Sequence, residues 1–170
     1  MSCDITSGRT KGCKDAIAGT SKVYLFNFVE NPFTVLNGVV TAINPLLTES
    51  FQYDLVGDGN TFVESMVGDR NTGTSPNTQT LTLVLHKITK EDNNQFKLLV
   101  HGYPQGVIKD RMGNYMVMGI TDGIDFTVSP TTGGAKADFN GYNLTGMATE
   151  SRLAPMLDSA SITAFLALVA

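Results

Sequence analysis

The sequence has 170 residues, of which 42% are hydrophobic and 16% are charged, and its net charge is −4. This length fits one domain with a real core, and so low a charged fraction is typical of a chain that hides surface in an assembly, although a monomeric β-protein rich in Thr, Asn and Gly fits as well. The sequence has no cluster of converging Lys and Arg, which argues against sequence-specific binding of DNA or RNA.

The first segment, residues 1–20, is rich in Ser, Gly, Thr and Lys and is predicted to be an irregular N-terminal arm. It contains the two cysteines, Cys3 and Cys13, which are too few for a disulfide scaffold and are expected to be free thiols. It has no apolar core of a signal peptide. The longest apolar run, 162–170, is far shorter than the roughly 20 residues of a membrane span.

Residues 21–30 predict a strand that is apolar on both faces. One face carries Tyr24, Phe26 and Phe28, and the other carries Val23, Leu25 and Val29. Such a strand is typical of the interior of a covered sheet. A proline at position 32 ends it, and a short strand follows at 39–43.

The stretch 49–88 predicts a long β-hairpin with a polar tip at 68–77. In the returning arm Leu81, Leu83 and Leu85 share one face. A two-stranded ribbon cannot bury so much apolar surface alone, so it must lie on its own domain or, as we favour, on another subunit. A sharper turn at 57–60 would divide the stretch into three strands, and the sequence leaves both interpretations open.

A helix is predicted at about 90–102. Thr89 is a good N-cap, and acidic residues follow it in the first turn. Gly102 and Pro104 mark its end. An apolar stripe at helical spacing contains Phe96, Leu99, Val100 and Tyr103.

The rest of the chain reads mainly as strands. A hairpin is predicted from 106–110 and 115–119, strands at 124–128 and 137–147, a loop at 148–159, and a last strand or short helix at 161–169. The fold class is therefore mainly β: a sandwich or barrel with a long hairpin and one packed helix, in a single domain of residues 21–170.

No catalytic or metal-binding motif is present. The segment 57–60 resembles the start of a calcium loop but lacks the later glutamate and the flanking helices. Asp122 and Asp125, three positions apart, would point to opposite faces of a strand. His86 and His101 are not part of any metal-binding or catalytic motif. We expect neither enzymatic activity nor a cofactor.

The interior of the hairpin region is acidic, because it carries four acidic side chains and a single cation, Arg70. These are Asp54, Asp58, Glu64 and Asp69. They are consistent with a solvated strand face or with the acidic lining of a ring or pore.

Four stretches occur in an order that resembles a known family. They are Cys3 and 12–15 followed by 23–27, the long hairpin that leads into a single helix, 107–115 with Gly119 after it, and 138–147. Through these four stretches, taken together, the chain resembles the tail-tube and tail-tube-like ring proteins of tailed bacteriophages, notably phages that infect Bacteroidetes, including crAss-like phages.

The resemblance implies subunits that form a homo-oligomeric ring in the tail or neck of a virion, made in the cytoplasm of the bacterial host. Rings of this kind stack with neighbouring virion proteins around a channel through which genome DNA passes, and the long hairpin reaches an adjacent subunit or ring. We therefore hypothesise a subunit interface formed by Phe62, Met66, Val67, Leu81, Leu83 and Leu85. The acidic residues Asp54, Asp58, Glu64 and Asp69 would line a lumen that does not hold DNA.

The alternative function is a carbohydrate- or protein-binding β-sandwich module. It would need a platform of exposed aromatic side chains. The chain has no Trp, and its Phe and Tyr residues mostly alternate within predicted strands. The sequence therefore favours the ring protein over the binding module.

Overall fold

Strands dominate the fold, and helices pack against them. The computed structural model describes residues 3–170, so positions 1 and 2 of the predicted arm lie outside the described part. The strands of this part are β1 (Thr20–Phe26), β2 (Phe33–Leu36), β3 (Val39–Ile43), β4 (Phe51–Asp54), β5 (Thr61–Met66), β6 (Asn77–His86), β7 (Gln105–Asp110), β8 (Tyr115–Met118), β9 (Asp125–Thr131), β10 (Gly141–Glu150) and β11 (Met156–Leu157). The helices are α1 (Lys90–His101) and α2 (Ser159–Leu166).

The larger sheet has seven strands in the order β2-β3-β11-β8-β7-β1-β4. Its neighbours run antiparallel except for β11 and β3, which are parallel. Strand β1 lies inside this sheet and is buried on both faces, as its sequence predicts, but it ends at Phe26, so Phe28 of the predicted strand lies outside it and is exposed. Val23 and Leu25 face the smaller sheet, whereas Tyr24 and Phe26 face the opposite side.

The smaller sheet has four antiparallel strands in the order β5-β6-β10-β9. Its two central strands, β6 and β10, are each ten residues long. Leu83 of β6 pairs with Leu144 of β10, and both side chains are buried between the sheets. Leu81 and Leu83 share one face of β6, as strand alternation predicts, but this face points into the core of the domain and not toward another subunit.

The two sheets enclose one core, and a second core lies on the other face of the larger sheet. Helix α2 covers this second core with the fully buried Phe165, whose ring meets that of Tyr24 edge-on at 5.5 Å between centroids. The Asp158 carboxylate caps α2 by accepting the Ser161 N–H at 2.7 Å. Both faces of the interior strands β1 and β7 are therefore covered by the chain itself.

Helix α1 closes one side of the space between the sheets. It begins where predicted, and the Thr89 hydroxyl accepts the Asp92 N–H at 3.1 Å. Phe96 packs edge-on against Tyr142 at 4.6 Å between ring centroids and lies 6.5 Å from Tyr53. Because the helix joins Tyr53 of β4 to Tyr142 of β10, it links the two sheets.

The predicted hairpin 49–88 is divided into three strands, which was the second of the two open interpretations. Strand β4 pairs with β1 in the larger sheet, and only β5 and β6 form a hairpin in the smaller one. The switch occurs at Gly57 and Gly59, with φ of +80° and +94°, conformations that glycine adopts without strain. Asn60 fixes the start of β5, because its side-chain oxygen accepts the Val84 N–H at 2.8 Å.

The C-terminal part differs from the sequence prediction in one respect. The segment 148–159 was expected to be a loop, but β10 continues to Glu150 and β11 occupies Met156–Leu157. Strand β11 is too short for alternation to reveal it, and it adds to β8 through the Val117 N–H, which donates to the Pro155 carbonyl at 3.0 Å. The segment left open as strand or helix forms α2.

The predicted fold class, a mainly-β sandwich with a packed helix, is confirmed. The barrel alternative is not, because within residues 3–170 each sheet ends in separate edge strands. The sandwich leaves one large sheet surface without a cover, the outer face of the smaller sheet.

Candidate functional site

The outer face of the smaller sheet is the most extensive uncovered surface of regular structure. We call it the open face. Its members point away from the core because their neighbours in each strand point into it. They are Thr61, Val63, Ser65, Thr78, Thr80, Thr82, Val84, Asp125, Thr127, Ser129, Thr131, Asn143, Thr145, Met147 and Thr149.

Threonine dominates the open face, with eight of these positions. One row crosses all four strands, because Thr61 pairs with Thr82, Thr82 with Thr145, and Thr145 with Thr127. Threonine suits an exposed strand face, since its branched side chain fits the pleat and its hydroxyl stays hydrated. The sheet thus presents a row of hydroxyl groups at one level.

The open face has almost no charge. Asp125 at the β9 edge is its one ionisable residue, and no Lys or Arg lies among its members. A phosphate backbone binds where several cations converge. The face therefore lacks the cations that would hold a phosphate backbone.

The edges of the smaller sheet are β5 and β9, and each pairs with one neighbour only. Pro130 lies in β9, a position that suits an edge strand because proline cannot donate to a ladder. The stretch Asp125–Ser129 before it keeps its N–H groups. An exposed edge with unpaired N–H and C=O groups is a template for pairing with another chain.

The hypothesised interface residues divide into two groups. Leu81 and Leu83 have 0% and 1% of their surface exposed and belong to the core between the sheets. Phe62 and Leu85 are partly buried against the same core. Their burial needs no second subunit, because the alternation of β5 turns Phe62, and that of β6 turns the three leucines, toward the larger sheet.

Met66 and Val67 are the hypothesised interface residues that are exposed, by 44% and 62%. They lie where β5 runs into the hairpin tip. The tip is tied by the Val67 N–H, which donates to the Pro76 carbonyl at 3.2 Å, and by a bridge between Asp69 and Thr74. An exposed apolar pair at the base of a projecting loop remains available to a neighbour.

The four acidic residues proposed for a lumen do not share one surface. Asp54 lies on β4 in the larger sheet and pairs with Lys22 at 3.4 Å. Asp58 is exposed in the turn between β4 and β5. Asp69 is exposed at the hairpin tip, where its carboxylate accepts the Asn71 N–H at 2.7 Å.

Glu64, the fourth, faces inward and is held by hydrogen bonds. Its carboxylate accepts the side-chain N–H groups of Asn77 at 2.7 Å and Gln79 at 3.1 Å, and the backbone N–H of Ala154 at 2.7 Å. Gln79 in turn accepts the Gly119 N–H at 3.1 Å. Glu64 thus ties β5 to the segment after β10, which is a structural use of the charge.

Sequence reasoning missed an exposed aromatic depression, which we call the Phe28 groove. It has a volume of about 250 Å³ and lies between the end of β1, β4 and the C-terminal half of α1. Its exposed apolar members are Phe28, Phe51, Leu98 and Tyr103. Tyr103 was predicted to belong to the buried stripe of α1, but it is 65% exposed because the chain turns away at Gly102 and Pro104.

Perturbed pKa values lie away from the open face. Burial raises the pKa of Tyr24 to about 12, with the neighbouring Tyr115 adding to the shift. Burial also raises the pKa of Tyr53. Hydrogen bonds from Ser161 lower the pKa of Asp158, and backbone N–H groups of Ala135 and Gly134 lower that of Asp138.

Comparison with family models, curated proteins and solved structures found no match for this chain. Among residues 3–170, no helix has the length and apolar character needed to cross a membrane. Over the same residues, no three His, Cys, Asp or Glu side chains come together as metal ligands would. Cys3 and Cys13 are exposed free thiols.

Proposed function

We propose that this chain is a structural protein of a bacteriophage virion, without catalytic activity, that forms a homo-oligomeric ring in the tail or neck. The observation that carries the proposal is the smaller sheet, which has two free edges and an open face with a single charge. The resemblance of the sequence to tail-tube-like ring proteins supports the same function.

Strand direction favours edge-to-edge closure. The smaller sheet has four strands that alternate in direction, so β9 runs opposite to β5. When β9 of one copy lies beside β5 of the next, their pairing is antiparallel and continues the ladder without a break. Contacts between two different surfaces generate a closed ring when the rotation between copies closes.

The open face then becomes the inner surface of the ring. Each copy contributes its threonine row, and the rows of successive copies continue around the channel. Neutral hydroxyl groups hold water and have no strong attraction for phosphate, since Lys and Arg are missing from the face. Genome DNA passes through such a channel without sequence-specific binding.

The hairpin tip supplies a contact beyond the ring. Met66 forms the last pair between β5 and β6, and Val67 follows it, with the apolar side chains of both residues exposed. We place them against the next ring or a neighbouring tail or neck protein. Met66 and Val67 thus remain candidate interface residues, whereas Leu81 and Leu83 contribute to folding alone.

The alternative, a carbohydrate- or protein-binding module, is supported by the exposed aromatic residues of the Phe28 groove. The polar side chains that line this groove are Asn27, Gln95 and the hydroxyl of Tyr103. Binding of glycans by a stable monomer on an array would favour this alternative over the ring.

The test of the proposal is the mass and shape of the purified full-length chain. Light scattering should give a multiple of the 18.2 kDa subunit mass, and negative-stain microscopy should show rings with a central hole. A chain that stays monomeric at every concentration up to the limit of solubility would overturn the proposal.

A further inference from the structure

The N-terminal arm is the part of the chain that the two cores do not use. Every residue from Cys3 to Ala18 is exposed, and no helix or strand forms before β1 begins at Thr20. The arm carries two exposed isoleucines, Ile5 and Ile17, and Ile5 is the more exposed, with 94% of its side chain accessible against 62% for Ile17. Fully extended, its 16 residues reach roughly 50 Å.

The arm and the Phe28 groove lie at opposite ends of the same strand. The arm enters β1 at Thr20, and Phe28 follows the end of β1 at Phe26. The seven residues of β1 span about 23 Å at the rise of a strand. A second copy that meets this one head to tail brings its arm toward the groove, whereas the chain's own arm would have to turn back along the whole sandwich.

The arm is basic, and two carboxylates lie close in sequence to the groove, whose own lining side chains are uncharged. The arm has the cations Arg9, Lys11 and Lys14 against two carboxylates. Glu30 and Glu49, both exposed, each lie two residues from an aromatic member of the groove, Phe28 and Phe51. The C-terminal end of α1, with its partial negative charge, also points there through Gly102.

We propose that the arm of one copy docks in the Phe28 groove of a second copy, with Ile5 as its apolar anchor. The inference rests on the proposed function in one respect, because the docking links successive rings into a stack. The groove offers Ile5 the exposed side chains of Phe28, Phe51, Leu98 and Tyr103. Each arm alone binds weakly, and several arms per ring act together.

Cross-linking from the arm tests the partner directly. In the full chain with Cys13→Ser, Cys3 is the single thiol and lies two residues from Ile5. A benzophenone maleimide on Cys3, in an equal mixture of ¹⁴N- and ¹⁵N-labelled chains, should give mixed-isotope cross-links to peptides that contain Phe28 or residues 95–104. Cross-links confined to one copy, or directed to the hairpin tip, would overturn the proposal.

A matched pair of variants tests the groove. Leu98 and Val100 are both exposed on α1, but Leu98 lines the groove and Val100 lines a different depression beside Val128. Leu98→Glu should reduce the mixed cross-link and the length of ring stacks about tenfold, because a carboxylate would lose its water in the docked state. Val100→Glu should leave both readouts unchanged, and equal effects of the two variants would overturn the proposal.

The two proposals fail separately. Rings that form but remain single in Leu98→Glu and in Ile5→Glu support both, since the proposed edge pairing involves neither Leu98 nor Ile5. If the chain forms no ring, the proposed function is wrong, and the mixed-isotope cross-link between two copies still decides whether the arm docks. Stacks of normal length in Ile5→Glu would overturn the docking proposal while leaving the ring intact.

Discussion

The two sheets differ in how many of their faces the chain itself covers. In β1 of the larger sheet, apolar side chains point both ways, and each direction ends in a core. In β6 of the smaller sheet, Leu81 and Leu83 point inward, while Thr80 and Thr82 point outward to the open face. The difference shows which sheet surfaces are buried when the domain folds and which sheet surface stays uncovered.

The expected free-energy contributions agree with this difference between the inward and outward sides of β6. Burying a leucine side chain contributes roughly 2 kcal/mol, so the inward side of β6 decides whether the domain folds. An exposed threonine contributes little beyond its strand propensity, which spans about 1 kcal/mol across residue types. Changes on the two sides of one strand should therefore separate folding from assembly.

The largest effect is expected for Leu83→Asp. Leu83 is 1% exposed, so the variant buries an unpaired carboxylate in the core and should lose about 4 kcal/mol or more of unfolding free energy. If Leu83 lay at a subunit interface, as hypothesised from the sequence, the variant would instead fold and fail only to assemble. Urea denaturation measures the loss, with Thr82→Asp as the outward control, which should keep most of its stability. A stable Leu83→Asp would contradict this difference between the two sides of β6.

A smaller loss is expected for Glu64→Ala. It leaves the amide groups of Asn77 and Gln79 and the Ala154 N–H without their acceptor, which should reduce the unfolding free energy by about 2 kcal/mol. Asp58→Ala removes an exposed carboxylate of the same predicted lumen and should change the unfolding free energy by under about 0.5 kcal/mol. Equal losses in the two variants would show that Glu64 has no structural role.

A pH-dependent effect is expected on the covered side, at the cap of α2. The hydrogen bonds from Ser161 lower the pKa of Asp158 in the folded state, so its ionised form stabilises the fold above the ordinary aspartate pKa of about 4. This contribution is lost as the pH falls through the lowered pKa. Thermal unfolding should show Asp158→Ala less stable than the parent at pH 7 and nearly equal to it at pH 2. A difference that is the same at both pH values would contradict this assignment.

The smallest effect on folding is expected for Thr82→Val together with Thr145→Val. Both residues lie in the threonine row of the open face, so their replacement should change the unfolding free energy of the monomer by under about 0.5 kcal/mol. In assembled rings the same pair removes hydroxyl groups from the channel surface. A large loss of monomer stability would show that the open face packs against the chain itself.

The sequence predicts what depends on strand or helix period. Alternation identifies β1 and β6 and the residues that share a face in each, and the cap identifies the start of α1. The apolar spacing of α1 finds the buried Phe96 but also includes Val100 and Tyr103, which are exposed. Strand pairing is harder to predict. No local sequence pattern shows that β4 leaves its hairpin to join β1, or that the two residues of β11 bridge β3 and β8. The sequence suggests Glu64 as a lumen charge. Its structural role is not visible in the sequence, because its hydrogen-bond partner Ala154 lies 90 positions away.

The central claim, that β5 of one copy pairs with β9 of the next, is tested most directly by a disulfide between the two edges. Val63→Cys and Thr127→Cys are combined in a background of Cys3→Ser and Cys13→Ser, with Thr61→Cys or Ser65→Cys in place of Val63→Cys to sample other registers.

Within one copy the two edge strands are three strand spacings apart, about 14 Å, which is beyond the reach of a disulfide. Edge pairing predicts that oxidation gives a ladder of covalent oligomers that ends at the size of the ring. A single monomer band in every register, at concentrations where the parent chain forms rings, would contradict the claim.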